Sequence, residues 1–93
     1  MSSGRWHVVI ASPAARDIDR LPMKVAAAAL EAIHSIAGDP RRMGKPLQLE
    51  LKGLWSARRG PYRIIYSIDD SNKTVTITAV AHRADVYRRA RRG

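Results

Sequence analysis

The chain has no cysteine among its 93 residues. Disulfide staples and thiolate metal sites are excluded, and a reducing intracellular compartment fits. Long apolar runs are missing as well. The longest, Val25 to Leu30, is too short and too alanine-rich to cross a bilayer. The first residues, MSSGRWHVVIAS, lack the apolar stretch of a signal peptide. A cytoplasmic protein with no membrane partner is expected. No His/Asp/Glu set shows metal-ligand spacing, no glycine-rich phosphate loop appears, and no serine sits on a nucleophile elbow. His7, His34 and His82 fall on separate elements. Neither a metal nor a cofactor is expected.

Acidic side chains are scarce: eight Asp and Glu face seventeen Lys and Arg, for a net charge of +9. The excess is uneven. Residues 1–50 carry a surplus of two positive charges and residues 51–93 a surplus of seven, and thirteen of the cations are arginine. The planar guanidinium fork suits phosphate, so a polyanion is the expected partner, nucleic acid first.

At this length the chain is one domain spanning 1–93, with 1–4 and 90–93 expected to be flexible. Residues 5–11, RWHVVIA, alternate as a strand, Trp6, Val8 and Ile10 against His7 and Val9. Ser12 as N-cap and Pro13 at the first helical position open a helix with Ala14, Ile18 and Leu21 on its apolar face. Pro22 interrupts, and a second helix runs from about Met23 with a stripe of Ala26, Leu30, Ile33 and Ala37, capped by Gly38. The two form an antiparallel hairpin. Residues 38–51 read as a loop. Three strands follow near Trp55–Arg59, Tyr62–Ile68 and Thr74–His82, and Val75, Ile77 and Ala79 share a face of the last. A basic tail ends the chain in one helical turn. The class is α+β: an N-terminal strand, an α-helical hairpin, then a three-stranded antiparallel meander with the helices on one sheet face and the other face open.

The stretch RRGPYRIIY, residues 58–66, sets Arg63 inside an otherwise apolar strand. With Gly60 and Pro61 as a two-residue turn, Arg59 faces Tyr62, Arg58 faces Arg63, Ala57 faces Ile64 and Trp55 faces Tyr66. Trp55, Ala57, Tyr62, Ile64 and Tyr66 then share the helix-covered side. Lys52, Ser56, Arg58, Arg63 and Ser67 share the other, with Leu54 and Ile65. Two arginines facing each other repel, and neither strand offers a carboxylate on that side. A site for an anion is the reading that explains the pairing. His82, Arg83 and Tyr87 reach the same side if the tail folds back, adding a titratable imidazole and a phenol.

These residues resemble the RelE/ParE superfamily of bacterial toxins, its RelE branch in particular. The resemblance covers nearly the whole chain. It rests on LKGLWSARRGPYRIIYSID (51–69), AVAHRADVY (79–87), GKPL (44–47) and the strand and two-helix opening. It implies a ribosome-dependent mRNA endonuclease that needs no metal. In that chemistry the RNA 2′-hydroxyl attacks the adjacent phosphate, leaving a cyclic phosphate and a 5′-hydroxyl. Arg63 and Arg83 match phosphate-contacting arginines of the family, Tyr87 a tyrosine that stacks or transfers a proton, and Arg58 a basic position on the preceding strand. Well-studied members carry lysines where this chain has Leu54 and Ser56. Lys52 or His82 is the expected substitute. Arg16, Arg20, Arg41, Arg42, Lys45, Arg59 and Arg88 are expected to help dock on RNA or the ribosome. The resemblance also implies a cognate antitoxin, with operator DNA met only through the toxin–antitoxin complex. Two alternatives stand beside it: a ParE-like gyrase inhibitor, and a degenerate toxin that only binds antitoxin or nucleic acid.

Overall fold

The computed structural model describes residues 5–88, so the termini expected to be flexible lie outside it. The elements run β1 (His7–Ile10), α1 (Ser12–Asp19), α2 (Met23–Gly38), α3 (Pro40–Met43), β2 (Lys45–Pro46), β3 (Leu54–Arg59), β4 (Tyr62–Asp69) and β5 (Thr74–His82). A 3₁₀ turn covers Leu49–Leu51, and residues 86–88 form a helical turn. The α+β class and the meander hold. The loop reading of 38–51 resolves into α3, an edge strand and the 3₁₀ turn, elements too short for a periodic signal.

One five-stranded sheet has the order β1-β5-β4-β3-β2. β1 pairs parallel to β5, and the remaining pairs are antiparallel. The turn works as its residues demand. Gly60 has φ +58, a conformation that costs glycine little and suits the first loop position of a tight hairpin. The register is the one expected: Arg59 with Tyr62, Arg58 with Arg63, Ala57 with Ile64 and Trp55 with Tyr66.

The main core lies between the helices and one sheet face. Ala14, Ala29, Ile33, Ile36, Ala57, Ile64, Tyr66, Val75, Ile77 and Val80 are buried there. Three local expectations need correction. Ala11, not Ser12, precedes α1, without a side-chain cap. The α2 stripe is Ala29, Ile33, Ile36 and Ala37; Leu30 is 48% exposed. Gly38 is the last helical residue, and Asp39 is the cap.

The opposite face is not open. Ile65, Ala79 and Val86 are buried in a second small cluster, with Leu47, Leu54 and Ala81 packed on it. A register shift in β5 creates it. Ile65 pairs with Ala79 and Tyr66 with Ile77, so Thr78 is an extra residue bulged out of the ladder. Its hydroxyl donates to the Ile65 carbonyl at 3.2 Å. One added residue reverses the alternation, so Ala79 parts from Val75 and Ile77 and crosses to the second cluster.

β1 ends beside Ile77, leaving the outer edge of β5 without a strand beyond that point. The buried Asp17 of α1 accepts the Val80 N–H at 2.9 Å there. A helix carboxylate thus serves one backbone donor that no strand reaches.

Tyr66 ties α3 to the sheet. Its hydroxyl donates to the Pro40 carbonyl at 2.6 Å. Burial, with the Asp39 carboxylate adding to it, pushes the phenol up to about 12 from its ordinary 10.0. Gly44 passes so close that a Cβ there would sit on the Tyr66 hydroxyl and 2.9 Å from the Ser56 carbonyl. Because the folded phenol resists ionisation, its stabilising contribution is present below pH 10 and lost as pH rises toward 12. Tyr66→Phe leaves the buried Pro40 carbonyl unpaired and is expected to cost about 1–3 kcal/mol in urea denaturation at pH 7. The variant should also lose that alkaline sensitivity.

Candidate nucleic-acid interface

On the sheet face away from the helices lies a groove of about 640 Å³. Arg42, Met43, Gly44 and Lys45 form one wall, with Pro46 and Leu47 beyond; Ser56, Arg58 and Arg63 rise from the sheet, and Tyr87 closes the far side. Among the described residues, four cations and a phenol line it, and no carboxylate does. The ion pairs Arg41–Asp70, Arg59–Glu31 and Arg88–Asp85 among the described residues involve none of these groove cations.

Each wall has a local cause. Strand alternation about the Gly60 turn puts Ser56, Arg58 and Arg63 on one side. Arg63 is braced: its Nη1 donates to the carbonyls of Gly60, at 3.3 Å, and Tyr62, at 3.2 Å. The N–H groups on Nε and Nη2 remain for a ligand. Arg42 and Lys45 are brought in by α3 and β2, which the Tyr66–Pro40 bond and the close approach of Gly44 hold against the sheet. Asp39 caps this turn, its carboxylate accepting the Arg42 N–H at 3.3 Å.

Tyr87 is held by its neighbour. Residues 82–88 are exposed except Val86, which is 0% exposed in the second cluster. The small side chains of Ala79 and Ala81 leave room for it, so the bulge at Thr78 is what gives the tail a seat. The Arg83 N–H donates to the Pro61 carbonyl at 2.8 Å and ties the start of the tail to the same turn that braces Arg63.

The structure therefore brings Arg58, Arg63, Tyr87, Arg42 and Lys45 together. Arg83 adjoins them through its backbone, but its side chain is not in the wall. Two expected catalytic residues stand apart. His82 pairs across with Tyr62, edge to face at 5.8 Å, on the helix side of the sheet, and its Nδ1 accepts the Ala84 N–H. The bulge is again the reason, because it shifts the alternation of every later residue in β5. Lys52 follows the 3₁₀ turn and is exposed outside the groove. Gly53, at φ +100, breaks the strand before it reaches Lys52, so strand parity does not extend that far.

Among the expected docking cations, Arg41 makes a bidentate pair with Asp70 and lies 6.0 Å over the Trp55 ring. That pairing raises the Arg41 pKa and holds the Asp70 carboxyl below its ordinary value. Arg59 and Arg88 are paired with Glu31 and Asp85. Arg16 lies on α1 and Arg20 caps its C-terminus; Ala14 and Ile18 of that helix join the main core, so both arginines sit in the helix layer beyond the sheet.

A basic groove over a RelE-like sheet is the frame of a toxin, and comparison with known proteins agrees. The sequence model for the ParE toxin of type II toxin–antitoxin systems, parDE, matches residues 8–87. Toxin RelE of Mycobacterium tuberculosis is 49% identical over 84 residues, 89% of this chain and 87% of that protein. Toxin RelG of the same organism is 49% identical over 85 residues, covering 90% and 98% respectively. A chain in the crystal structure of the M. tuberculosis RelBE2 toxin–antitoxin complex matches with a TM-score of 0.82 at 45% identity, over 87% of this chain and 94% of that one. The fold and its relatives define a toxin of a type II toxin–antitoxin system. The chain belongs to the RelE/ParE superfamily, in its RelE branch.

Binding of a short single-stranded RNA should weaken with salt, and Arg58→Ala or Arg63→Ala should each flatten that dependence by about 0.7 in the log–log slope. Arg41→Ala should leave the slope nearly unchanged, since Asp70 already neutralises that charge. Equal slopes for all three variants would remove the groove as the RNA contact.

Proposed function

We propose that the groove cleaves mRNA on the ribosome, with the RNA 2′-hydroxyl attacking the adjacent phosphate. The observation that carries this reading is the facing pair Arg58 and Arg63, beside Tyr87, in a groove that no carboxylate lines among the described residues. Phosphorane formation adds negative charge, and fixed guanidinium groups stabilise it more than they stabilise the starting phosphodiester. Arg83, tied by its backbone N–H to the Pro61 turn, is the further cation that this reading assigns to the phosphate. Tyr87 is 37% exposed, and its ring offers a face on which a base can stack. No step of this reaction calls for a metal or cofactor. Arg16 and Arg20 in the helix layer would meet ribosomal RNA outside the groove.

Such a chain acts in the cytoplasm, where ribosomes and mRNA are. Its other partner is a cognate antitoxin that neutralises it. The antitoxin-bound relative supports that partner, and operator DNA would be met only through the complex. The ParE family match favours a second reading, inhibition of gyrase. Relatives named RelE and RelG at 49% identity favour the ribonuclease.

Expression of the chain without a partner, with 5′ ends mapped on ribosome-bound mRNA, should show cuts within the A-site codon. Arg63→Ala should abolish them while far-UV circular dichroism and antitoxin binding stay intact. Growth arrest with uncut mRNA and trapped gyrase–DNA cleavage complexes would replace the ribonuclease with the gyrase reading.

A further inference from the structure

The groove holds many charges but few protons that can move. Arg42, Arg58 and Arg63 keep theirs, because a guanidinium does not deprotonate in a protein. The reaction needs a proton for the departing 5′-oxygen, which leaves poorly as an alkoxide. Of the three residues expected to move a proton, Lys52 and His82 are outside the groove, and Tyr87 is assigned above to stacking a base. Lys45 is inside, the one ammonium among the lining residues. It stands on the edge strand β2, directly across from Ser56 of β3. Antiparallel partners project to the same side of a sheet, with Cβ atoms about 5 Å apart. Lys45 and Ser56 therefore project to the same side and both line the groove, next along from Arg58.

We infer that Lys45 is the general acid of this site, reaching from the neighbouring strand to the place that Ser56 leaves without a basic group. The inference rests on the ribonuclease reading. As the 2′-oxygen bonds to phosphorus, the bond from phosphorus to the 5′-oxygen breaks. The 2′ proton passes to water, and the 5′-oxygen takes a proton from the Lys45 ammonium. The products are a 2′,3′-cyclic phosphate and a 5′-hydroxyl, and the neutral amine regains its proton from solvent. The guanidinium groups hold the phosphorane charge meanwhile.

The test is single-turnover cleavage on ribosomes programmed with an A-site codon, with either a normal linkage or one whose 5′ bridging oxygen is sulfur. A thiolate leaves without a proton. Lys45→Ala should slow the normal substrate by about 100-fold or more. Lys45→Arg should be similarly slow, since it keeps the charge but holds its proton. Both should approach the wild-type rate on the sulfur-bridged substrate, whereas Arg63→Ala should stay slow on both. Moving the ammonium across the ladder, in a Lys45→Ser, Ser56→Lys double variant, should recover most of the lost rate. Lys45→Ala cutting the normal substrate at the wild-type rate overturns the assignment. So does a defect in Lys45→Ala that sulfur fails to relieve, which would make Lys45 a docking residue only. If wild type leaves both substrates intact, the ribonuclease reading itself falls, and the inference with it.

Discussion

The architecture depends on one constraint: the alternation of side chains about the two-residue turn at Gly60 and Pro61. That turn fixes the register of β3 against β4. Ala57, Ile64 and Tyr66 then go beneath the helices, and Ser56, Arg58 and Arg63 go to the other side. A slip of one residue would bury the arginines and expose the core, so hydrophobic burial itself enforces the placement of the cations. The repulsion between Arg58 and Arg63 costs far less than such a slip, because Arg58 is exposed and Arg63 only partly buried. The fold tolerates the pair, and an anion would relieve it.

A second irregularity lets the site be more than two arginines on a sheet. The extra residue at Thr78 breaks the alternation in β5 once. Before it, Val75 and Ile77 serve the main core; after it, Ala79 and Ala81 form a shallow seat on the groove side. Val86 fills that seat and carries Tyr87 to the groove. The same shift sends His82 to the helix side, beside Tyr62. The opposite wall is held by the Tyr66 hydroxyl on Pro40, possible because Gly44 has no side chain in the way. Core packing, one bulge and one buried hydrogen bond thus converge three separate segments on a single groove.

Several parts of this were legible from residue order alone: the helix hairpin, the meander, the turn, the facing arginines and the superfamily. Each rests on local rules, namely proline and glycine at element ends, period-two alternation and a dense run of motif residues. The positions of Lys45, His82 and Lys52 were not legible in the same way. Lys45 lies in a segment whose glycines and prolines signal only a loop, and β2 is two residues long. Lys52 shares parity with the groove residues on paper, but Gly53 interrupts the strand before it. Asp17 gave no sign of burial either, since it sits next to Arg16 on a helix read for its apolar stripe.

By itself the amino-acid order determined which side chains alternate, where the chain turns, and that positive charge gathers in the second half. Those are consequences of near-neighbour sterics and composition. Only the tertiary structure decided which cations meet. Partners of Lys45, Tyr87 and Asp17 are set by a bulge, an edge strand and a tail seat that depend on contacts between distant segments. Arg41, Arg59 and Arg88 are likewise matched with acids whose positions only the packed chain supplies. Local periodicity assigns a residue to a side of its own element; burial across elements decides what stands opposite it.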